Sequence, residues 1–348
     1  MKYLVHTAFA ALLGLSSYSY AATNGINYDP AHSPQFVEAQ AIGNLVGMKS
    51  AIRQDLEQIK TMGFKVIKTF FSTFCTNKPE CVTIAELAHA QEMQVLVGVH
   101  EFWAINNGDE PRGPGPCVTR KECESWTVAQ VKAAIESAQK FPQTVIGIVV
   151  GNEDMFDFEG KAVPSLQRRI VADIGEIKTQ LGNSVTVTSA QRDPDWYRLN
   201  QDDPNGVLSS VQVVGDNIYP FWGNSPEKIG GVSVATTIQS TAMKLKNVLS
   251  AKGVTGVIVT EEGWPSCGMN ANTQDATISA EINYFHTWRK HENQSFDSYY
   301  FVAYDLKTAH GCPDGANTHF GLCTDTNETK DSMLCNCKGY CATPNGRG

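Results

Sequence analysis

The sequence predicts an α/β protein with a (β/α)8 TIM barrel and a short Cys-rich C-terminal tail. Eight apolar, β-branched runs recur along the chain, and helical patterns lie between nearly all of them, which is typical of βα units that share a parallel sheet. No Gly-rich phosphate loop follows the first run, which disfavours a doubly wound sheet. Eight βα units close into a barrel whose active site lies at the carboxyl ends of the strands.

Each element is assigned from its own pattern. Residues 166–181, for example, align Ile170, Ile174 and Ile177 on one helical face. The predicted strands are 25–28, 65–71, 95–102, 145–153, 184–190, 211–220, 256–261 and 298–306. The predicted helices are 52–62, 81–94, 128–140, 166–181, 234–252 and 278–290. The Gly- and Pro-rich stretch 106–124 is expected to form a long loop after the third strand.

Composition and the N-terminal pattern indicate a secreted protein. The 348 residues are 42% hydrophobic and 18% charged, and the net charge of −8 disfavours nucleic acid and anionic membrane surfaces as partners. Residues 1–21 have the pattern of a signal peptide. We therefore expect a secreted, extracellular or cell-wall monomer, with a catalytic barrel at 22–325 and a Cys-rich appendage at 326–348.

Ten cysteines in such a chain predict disulfides. Short loops make the pairs Cys75 with Cys81 and Cys117 with Cys123 plausible, whereas spacing leaves the pairing of the other six open. A zinc site at the C-terminal cluster is disfavoured because no His lies at ligand spacing. Two glycosylation sequons, Asn293-Gln-Ser and Asn327-Glu-Thr, are expected at the surface.

Two strands deliver a carboxylate at the carboxyl end. The run 145–153 ends in Glu153, and the run 257–262 ends in Glu261 and Glu262. A pair of glutamates alone most often marks a solvated strand end. Two strand ends of the same design favour hydrolysis of a glycosidic bond, which needs one carboxylic acid and one carboxylate.

The roles follow from this chemistry. Glu153 is the predicted acid/base, and Glu261 the predicted nucleophile, with no cofactor or metal required. Strand alternation sends Glu261 and Glu262 to opposite sides, and periodicity leaves open which of the two faces the barrel axis. Asn152 beside the acid is a candidate for a sugar hydroxyl, although a turn or cap role is about equally consistent with its position.

Aromatic side chains near strand ends are candidates for stacking on pyranose rings. Tyr28, Tyr219 and Trp264 are the chosen substrate-binding candidates, and about half of the wider aromatic set is expected to be core. The wider set comprises Phe70, Trp103, Phe156, Trp222 and Tyr304. Other chemistries lack a pattern, because the chain has no second His at metalloprotease spacing, no Gly-x-Ser-x-Gly elbow and no P-loop.

Four motifs in this order resemble glycoside hydrolase family 17, the secreted β-1,3-glucanases. They are Gly25-Ile-Asn-Tyr28, Val150-Gly-Asn-Glu153, Asn217-Ile-Tyr-Pro220 and Thr260-Glu-Glu-Gly-Trp-Pro-Ser266. The resemblance extends to about Cys323. It implies a (β/α)8 barrel, a β-glucan substrate, a retaining mechanism, Glu153 as acid/base and Glu261, not Glu262, as nucleophile.

The chain differs from that family at two places. Phe70 replaces an expected Tyr, and Leu306 follows Tyr304-Asp305 where an acidic neighbour is usual, although Lys307 is kept. Three functions agree with these residues. The first is an endo-acting β-1,3-glucan hydrolase, the second is a glucanosyltransferase that uses the same two carboxylates, and the third is a silent glucan-binding protein.

Overall fold

Eight parallel strands form a closed barrel, as the sequence predicts. The computed structural model describes residues 23–76, 80–105, 110–112, 120–157, 159–222, 234–268, 276–290, 296–306 and 315–339. The barrel strands are β1 Asn24–Tyr28, β2 Val66–Thr69, β3 Gln94–Val99, β4 Val145–Asn152, β5 Thr186–Arg192, β6 Val213–Asn217, β7 Gly256–Glu262 and β8 Ser298–Tyr300. Each strand pairs with its sequence neighbours, and β1 closes the ring by pairing with β8.

Helices surround this ring. Within the described residues they are α1 Pro34–Ala41, α2 Leu45–Thr61, α3 Ile84–Ala90, α4 Arg120–Lys140, α5 Pro164–Leu181, α6 Asp193–Gln201, α7 Val207–Ser210, α8 Val234–Leu249 and α9 Ile278–Lys290. The predicted helical face of α5 is buried, with Ile170, Ile174 and Ile177 fully inside. Within the described ranges, no helix combines the length and apolarity that a bilayer crossing needs.

Two hydrophobic layers hold the barrel. Inward-pointing side chains from six strands fill its interior: Val66, Leu96, Val149, Ala190, Ile258 and Tyr299. The opposite faces of the same strands pack against the helices in one large cluster. Both strand faces are therefore buried, which explains why the strands read as continuous apolar runs.

Several predicted boundaries are wrong, and tertiary contacts explain why. The expected helix 81–94 begins only at Ile84, because the Cys75–Cys81 disulfide closes an antiparallel hairpin of Thr73–Cys75 with Cys81–Thr83. The strand expected at 298–306 ends at Tyr300. Beyond it, Phe301 and Ala303 still donate to Glu262 of β7 and Asn27 of β1, while Val302 donates to Phe320 in the segment 320–323, so the regular strand ladder is broken.

The long loop predicted at 106–124 is also shorter than expected. A second small hairpin joins Trp103–Ile105 to Glu110–Arg112, and α4 begins at Arg120 instead of Val128.

The C-terminal tail packs on the barrel. Leu334, Cys335 and Cys337 are buried in the same cluster as the barrel core. A Cys323–Cys337 disulfide ties the tail to the end of the barrel, which adds a pair that spacing left open. Cys123, Cys267 and Cys335 are disulfide-bonded as well. Cys117, Asn293, Lys307 and the predicted signal peptide lie outside the described residues.

Candidate active site

Strand β4 ends in an unusual backbone conformation. Glu153 has φ +54°, and Gly151 two residues earlier has φ +73°. A Cβ at Gly151 would lie 2.8 Å from the Asp154 carboxylate and from Ile170, and with the left-handed backbone this favours glycine there. The left-handed conformation costs Glu153 about 1–2 kcal/mol. Its N–H donates to the Ala190 carbonyl at 2.9 Å, one contact that holds the strained residue in place.

Strand β7 sends its two glutamates to different sides. Glu261 faces the barrel axis, where Lys68 and Tyr219 contact it. Glu262 faces α9 and accepts hydrogen bonds from Tyr284 at 2.7 Å and from Ser298. This geometry resolves the alternative that periodicity left open, because only Glu261 shares a site with Glu153.

Close backbone approach fixes the turn after β7. A Cβ at Gly263 would overlap the carbonyl oxygen of Phe301, so the strand end can meet β8 only through glycine. Two residues beyond Trp264, the Ser266 N–H donates to the His319 carbonyl at 2.9 Å. The Gly-Trp-Pro-Ser segment therefore fixes the backbone that follows β7, which holds Glu261 at the carboxyl end of the barrel.

A buried lysine holds Glu261. Lys68 of β2 is 1% exposed, and its ammonium lies 2.9 Å from Glu261 Oε1 and 3.1 Å from Asn27 Oδ1. The Tyr219 hydroxyl donates to Glu261 Oε2 at 2.6 Å. Both carboxylate oxygens therefore accept strong hydrogen bonds, a partner set that suits a negatively charged nucleophile.

A second network holds Glu153. The Asn217 Nδ2 donates to Glu153 Oε1 at 2.9 Å and lies 3.4 Å from Asn152 Oδ1. The Thr260 hydroxyl donates to Asn217 Oδ1 at 2.7 Å, which fixes the orientation of this amide. The Asn217 side chain thus links Glu153 at the end of β4 to Thr260, the residue that precedes Glu261 on β7.

The two glutamates differ in electrostatic environment. Burial, followed by the negative charge of Glu261, raises the pKa of Glu153 to about 7, while Asn217, Arg192 and Lys68 oppose the shift. Burial lowers the pKa of Lys68, and Glu261 opposes that shift. Near neutral pH Glu153 can therefore keep its proton.

The structure brings four of the six predicted site residues together: Asn152, Glu153, Tyr219 and Glu261. The stacking role predicted for the other two, Tyr28 and Trp264, is corrected. Tyr28 is fully buried and donates to Asp55 on α2 at 2.8 Å, so it faces the helices. Trp264 is 2% exposed and packs 5.3 Å from Phe221. Neither ring leaves a face for a sugar.

Sequence reasoning missed Lys68, Phe301 and the bridging role of Asn217. The signal for Lys68 was available, because a lysine inside an apolar strand of a parallel sheet is rare unless its charge is paired. Half-buried Phe301 lies 5.7 Å from the Tyr219 ring and 6.3 Å from Phe70, so it forms an aromatic wall beside Glu261. Its side chain has no sequence signature of its own.

The barrel and the candidate site together are typical of one class of enzyme. Glu153 at the end of β4 and Glu261 of β7 interact electrostatically and the pKa of Glu153 is raised, an arrangement typical of a glycoside hydrolase. Within the described ranges, no group of three or more His, Cys, Asp or Glu side chains is arranged to hold a metal ion.

Comparison with known proteins supplies the family. Residues 25–321 match the BtgE/BtgC glycoside hydrolase domain, and the chain belongs to this family. A glucan 1,3-beta-glucosidase of Schizosaccharomyces pombe (strain 972 / ATCC 24843) is 25% identical over 195 residues. That match covers 55% of this chain and 58% of the relative, which is less than two thirds of the relative's length.

Solved structures share the fold. An endo-laminarinase from Formosa Hel1_33_131 superposes with a TM-score of 0.65 at 18% identity, covering 88% of this chain and 84% of that one. A glycoside hydrolase family 17 β-1,3-glucanosyltransferase from Rhizomucor miehei gives a TM-score of 0.57 at 18% identity, covering 89% and 96%. At this identity, the likeness shows the barrel fold.

Proposed function

We propose that this protein is a secreted, retaining, endo-acting β-1,3-glucan hydrolase, with Glu153 as acid/base and Glu261 as nucleophile. The observation that carries the proposal is the unequal environment of the two glutamates. Glu153 has a pKa raised to about 7, whereas Glu261 is bound by an ammonium and a phenol. The names of the relative, a glucan 1,3-beta-glucosidase, and of one structural neighbour, a β-1,3-glucanosyltransferase, support the substrate class.

The reaction would proceed in two displacements. Glu153 donates its proton to the glycosidic oxygen while Glu261 attacks the anomeric carbon, which gives a glycosyl-enzyme. Water then attacks the anomeric carbon of this intermediate, Glu153 takes one proton from that water, and the bond to Glu261 breaks. As the covalent bond forms, the charge on Glu261 disperses, so Lys68 and Tyr219 would lose part of their attraction and regain it when Glu261 is released.

The aromatic wall of Phe70 and Phe301 is the surface best suited to a sugar ring beside Glu261. Trp222 on the turn after β6 is 40% exposed and is the second candidate for stacking. Phe70, Phe301 and Trp222 would therefore contact the sugar, whereas Tyr28 and Trp264 would not. Because Phe70 lacks a hydroxyl, it would contribute apolar stacking without a hydrogen bond.

Paired variants on two substrates test the assignment. We expect Glu261→Ala to lose turnover of both a linear β-1,3-glucan and an activated aryl β-glucoside. We expect Glu153→Ala to lose about 10²–10⁴-fold on the glucan but much less on the aryl substrate, whose leaving group needs no proton. Undiminished glucan cleavage by Glu261→Ala would refute the assignment of Glu261 as the nucleophile.

The products decide between hydrolysis and transfer, because the same two carboxylates serve both reactions. Incubation with a short reduced β-1,3-oligomer should give shorter fragments with a retained anomer. Products longer than the starting oligomer would assign the protein as a glucanosyltransferase, and tight binding without turnover would make it a silent glucan-binding protein.

A further inference from the structure

A polar cavity lies between α2 and the C-terminal tail. It is open to solvent on one side, its volume is about 460 Å³, and most of the side chains that line it are exposed. Among the residues that line it are Gln35, Gln54, Gln58, Thr61, Thr326 and Lys338. Neither Glu153 nor Glu261 lines it, so this cavity is separate from the candidate active site.

Asn327 lies at the wall of this cavity, and its side chain is held by the buried Asp55. Its Nδ2 donates to Asp55 Oδ1 at 3.3 Å. The other oxygen of Asp55 accepts from the Tyr28 hydroxyl at 2.8 Å and lies 3.1 Å from His32 Nε2. Asp55 is 2% exposed, so it is a rigid buried acceptor for the Asn327 amide. Asn327 Oδ1 has no hydrogen-bond partner among the described residues.

An amide nitrogen carries two hydrogens, and Asp55 needs only one of them. Asn327 has φ +64°, a left-handed turn conformation that a side-chain amide tolerates well, and it opens the sequon Asn327-Glu328-Thr329. The second hydrogen is therefore the position at which a sugar can be attached while the bond to Asp55 is kept.

We propose that Asn327 is N-glycosylated and that the first sugars of the glycan occupy the cavity between α2 and the tail. A polyprenyl diphosphate-linked oligosaccharide would be the donor. The sugar C1–Nδ2 bond forms, the C1–O bond to the diphosphate breaks, and Nδ2 loses one proton. The proposal rests on secretion, for which the disulfide-bonded cysteines argue independently of the N-terminal pattern.

The lining favours an attached sugar over a free one. Amide and hydroxyl side chains both donate to and accept from sugar hydroxyls, but no aromatic ring is present in the lining to supply stacking. A free sugar would also have to overcome the loss of translational and rotational freedom, at least about 4 kcal/mol. A sugar that is already bonded to Asn327 has no such cost.

Attachment must come before the tail closes. In the folded protein the Cys337 N–H donates to the Thr329 hydroxyl at 3.0 Å, and the Cys323–Cys337 disulfide encloses the sequon. The hydroxyl that defines the sequon is therefore engaged once folding is complete. After closure, the seated sugars would bridge α2 and the tail, beside the contact of His32 Nδ1 with the Asp325 carbonyl at 3.0 Å.

Occupancy is measured on the full chain secreted from a eukaryotic host. The two sequons fall in different tryptic peptides, 291–307 and 308–330, so each can be scored by mass spectrometry. We expect peptide 308–330 to carry a hexosamine-containing glycan that peptide N-glycosidase removes, with conversion of Asn327 to Asp. Thr329→Ala should abolish it and Thr329→Ser should keep it. An unmodified peptide 308–330 in the wild-type protein would overturn the proposal, whatever the state of Asn293.

Whether the Asn327 glycan lies in the cavity is tested by its protection from release by peptide N-glycosidase. Val185→Thr creates a sequon that starts at Asn183 on the exposed turn after α5, which supplies a reference glycan on the same chain. In the native protein we expect peptide N-glycosidase to release the Asn327 glycan at least about tenfold more slowly than the reference, which corresponds to about 1.4 kcal/mol of protection. Both glycans should be released equally fast after denaturation. Equal rates in the native protein would overturn the seating.

These outcomes are independent of the proposed hydrolase. The Thr329 variants leave the residues around Glu153 and Glu261 intact, so glucan cleavage should persist when the glycan is absent. Loss of cleavage in Glu261→Ala, conversely, should leave peptide 308–330 glycosylated.

Discussion

Replacing Glu153 by Gln should stabilise the protein at neutral pH although it removes the acid. The folded chain buries Glu153 and raises its pKa from the ordinary value of 4.5 to about 7. Below pH 4.5 the glutamate is protonated in both states, so it adds no pH dependence. Between pH 4.5 and 7 the unfolded chain releases the proton and the folded chain keeps it, so the free energy of unfolding falls as pH rises.

The magnitude follows from this interval. From 4.5 to about 7, at about 1.4 kcal/mol for each pH unit, the loss attributable to Glu153 is about 3 kcal/mol. The glutamine side chain of the Glu153→Gln variant carries no ionisable proton, and its amide oxygen can still accept from Asn217. The variant should therefore gain about 3 kcal/mol over wild type between about pH 4.5 and about pH 7.5.

Urea unfolding at several pH values between about 4.5 and 8 measures this difference. Glu136→Gln on the exposed face of α4 removes the same charge outside the site and controls for net charge. Other buried carboxylates, such as Glu262, change both proteins alike and cancel in the comparison. Stability curves of Glu153→Gln and wild type that stay parallel across the interval would refute the reasoning.

Four further predictions concern catalysis. Lys68→Met should lower kcat at least about tenfold, because a hydrogen bond from a charged donor contributes about 1.5–3 kcal/mol, while Lys68→Arg should recover part of it; equal losses would exclude a role for the charge. Tyr219→Phe should lower kcat up to about tenfold through loss of one hydrogen bond, and unchanged single-turnover rates would contradict its contact with Glu261. Trp222→Ala should raise KM for long glucans and leave turnover of a short aryl glucoside unchanged, so a loss on both substrates would argue against stacking. The kcat/KM for glucan should fall on the alkaline side with an apparent pKa near 7 as Glu153 loses its proton, and a flat profile through this range would contradict it.

The sequence predicted the barrel because strands that are buried on both faces must be apolar throughout. The eight runs stand out for that reason, and all eight are found in the ring. It also located Glu153 and Glu261, since a carboxylate at the end of such a run contrasts with everything before it. Helix and hairpin limits near Cys81 were not predictable, because a disulfide overrides local helical preference there.

The aromatic assignments show where sequence reasoning ends. Tyr28, Trp264 and Trp222 all lie at or shortly beyond a strand end, yet among these three only Trp222 is exposed, at 40%. Which way a ring turns depends on partners distant in sequence, such as Asp55 for Tyr28 and Phe221 for Trp264. Local pattern carries no information about those partners.

By itself, the sequence determined the fold class, the two strand ends that carry Glu153 and Glu261, and the assignment to the glycoside hydrolases. Only the tertiary structure decided that Lys68 and Tyr219 bind Glu261 and that Asn217 links both halves of the site. It also placed Asn327 above a buried carboxylate. The physical reason is the same in each case: a side chain's ionisation and exposure depend on groups that only barrel closure brings within hydrogen-bonding distance.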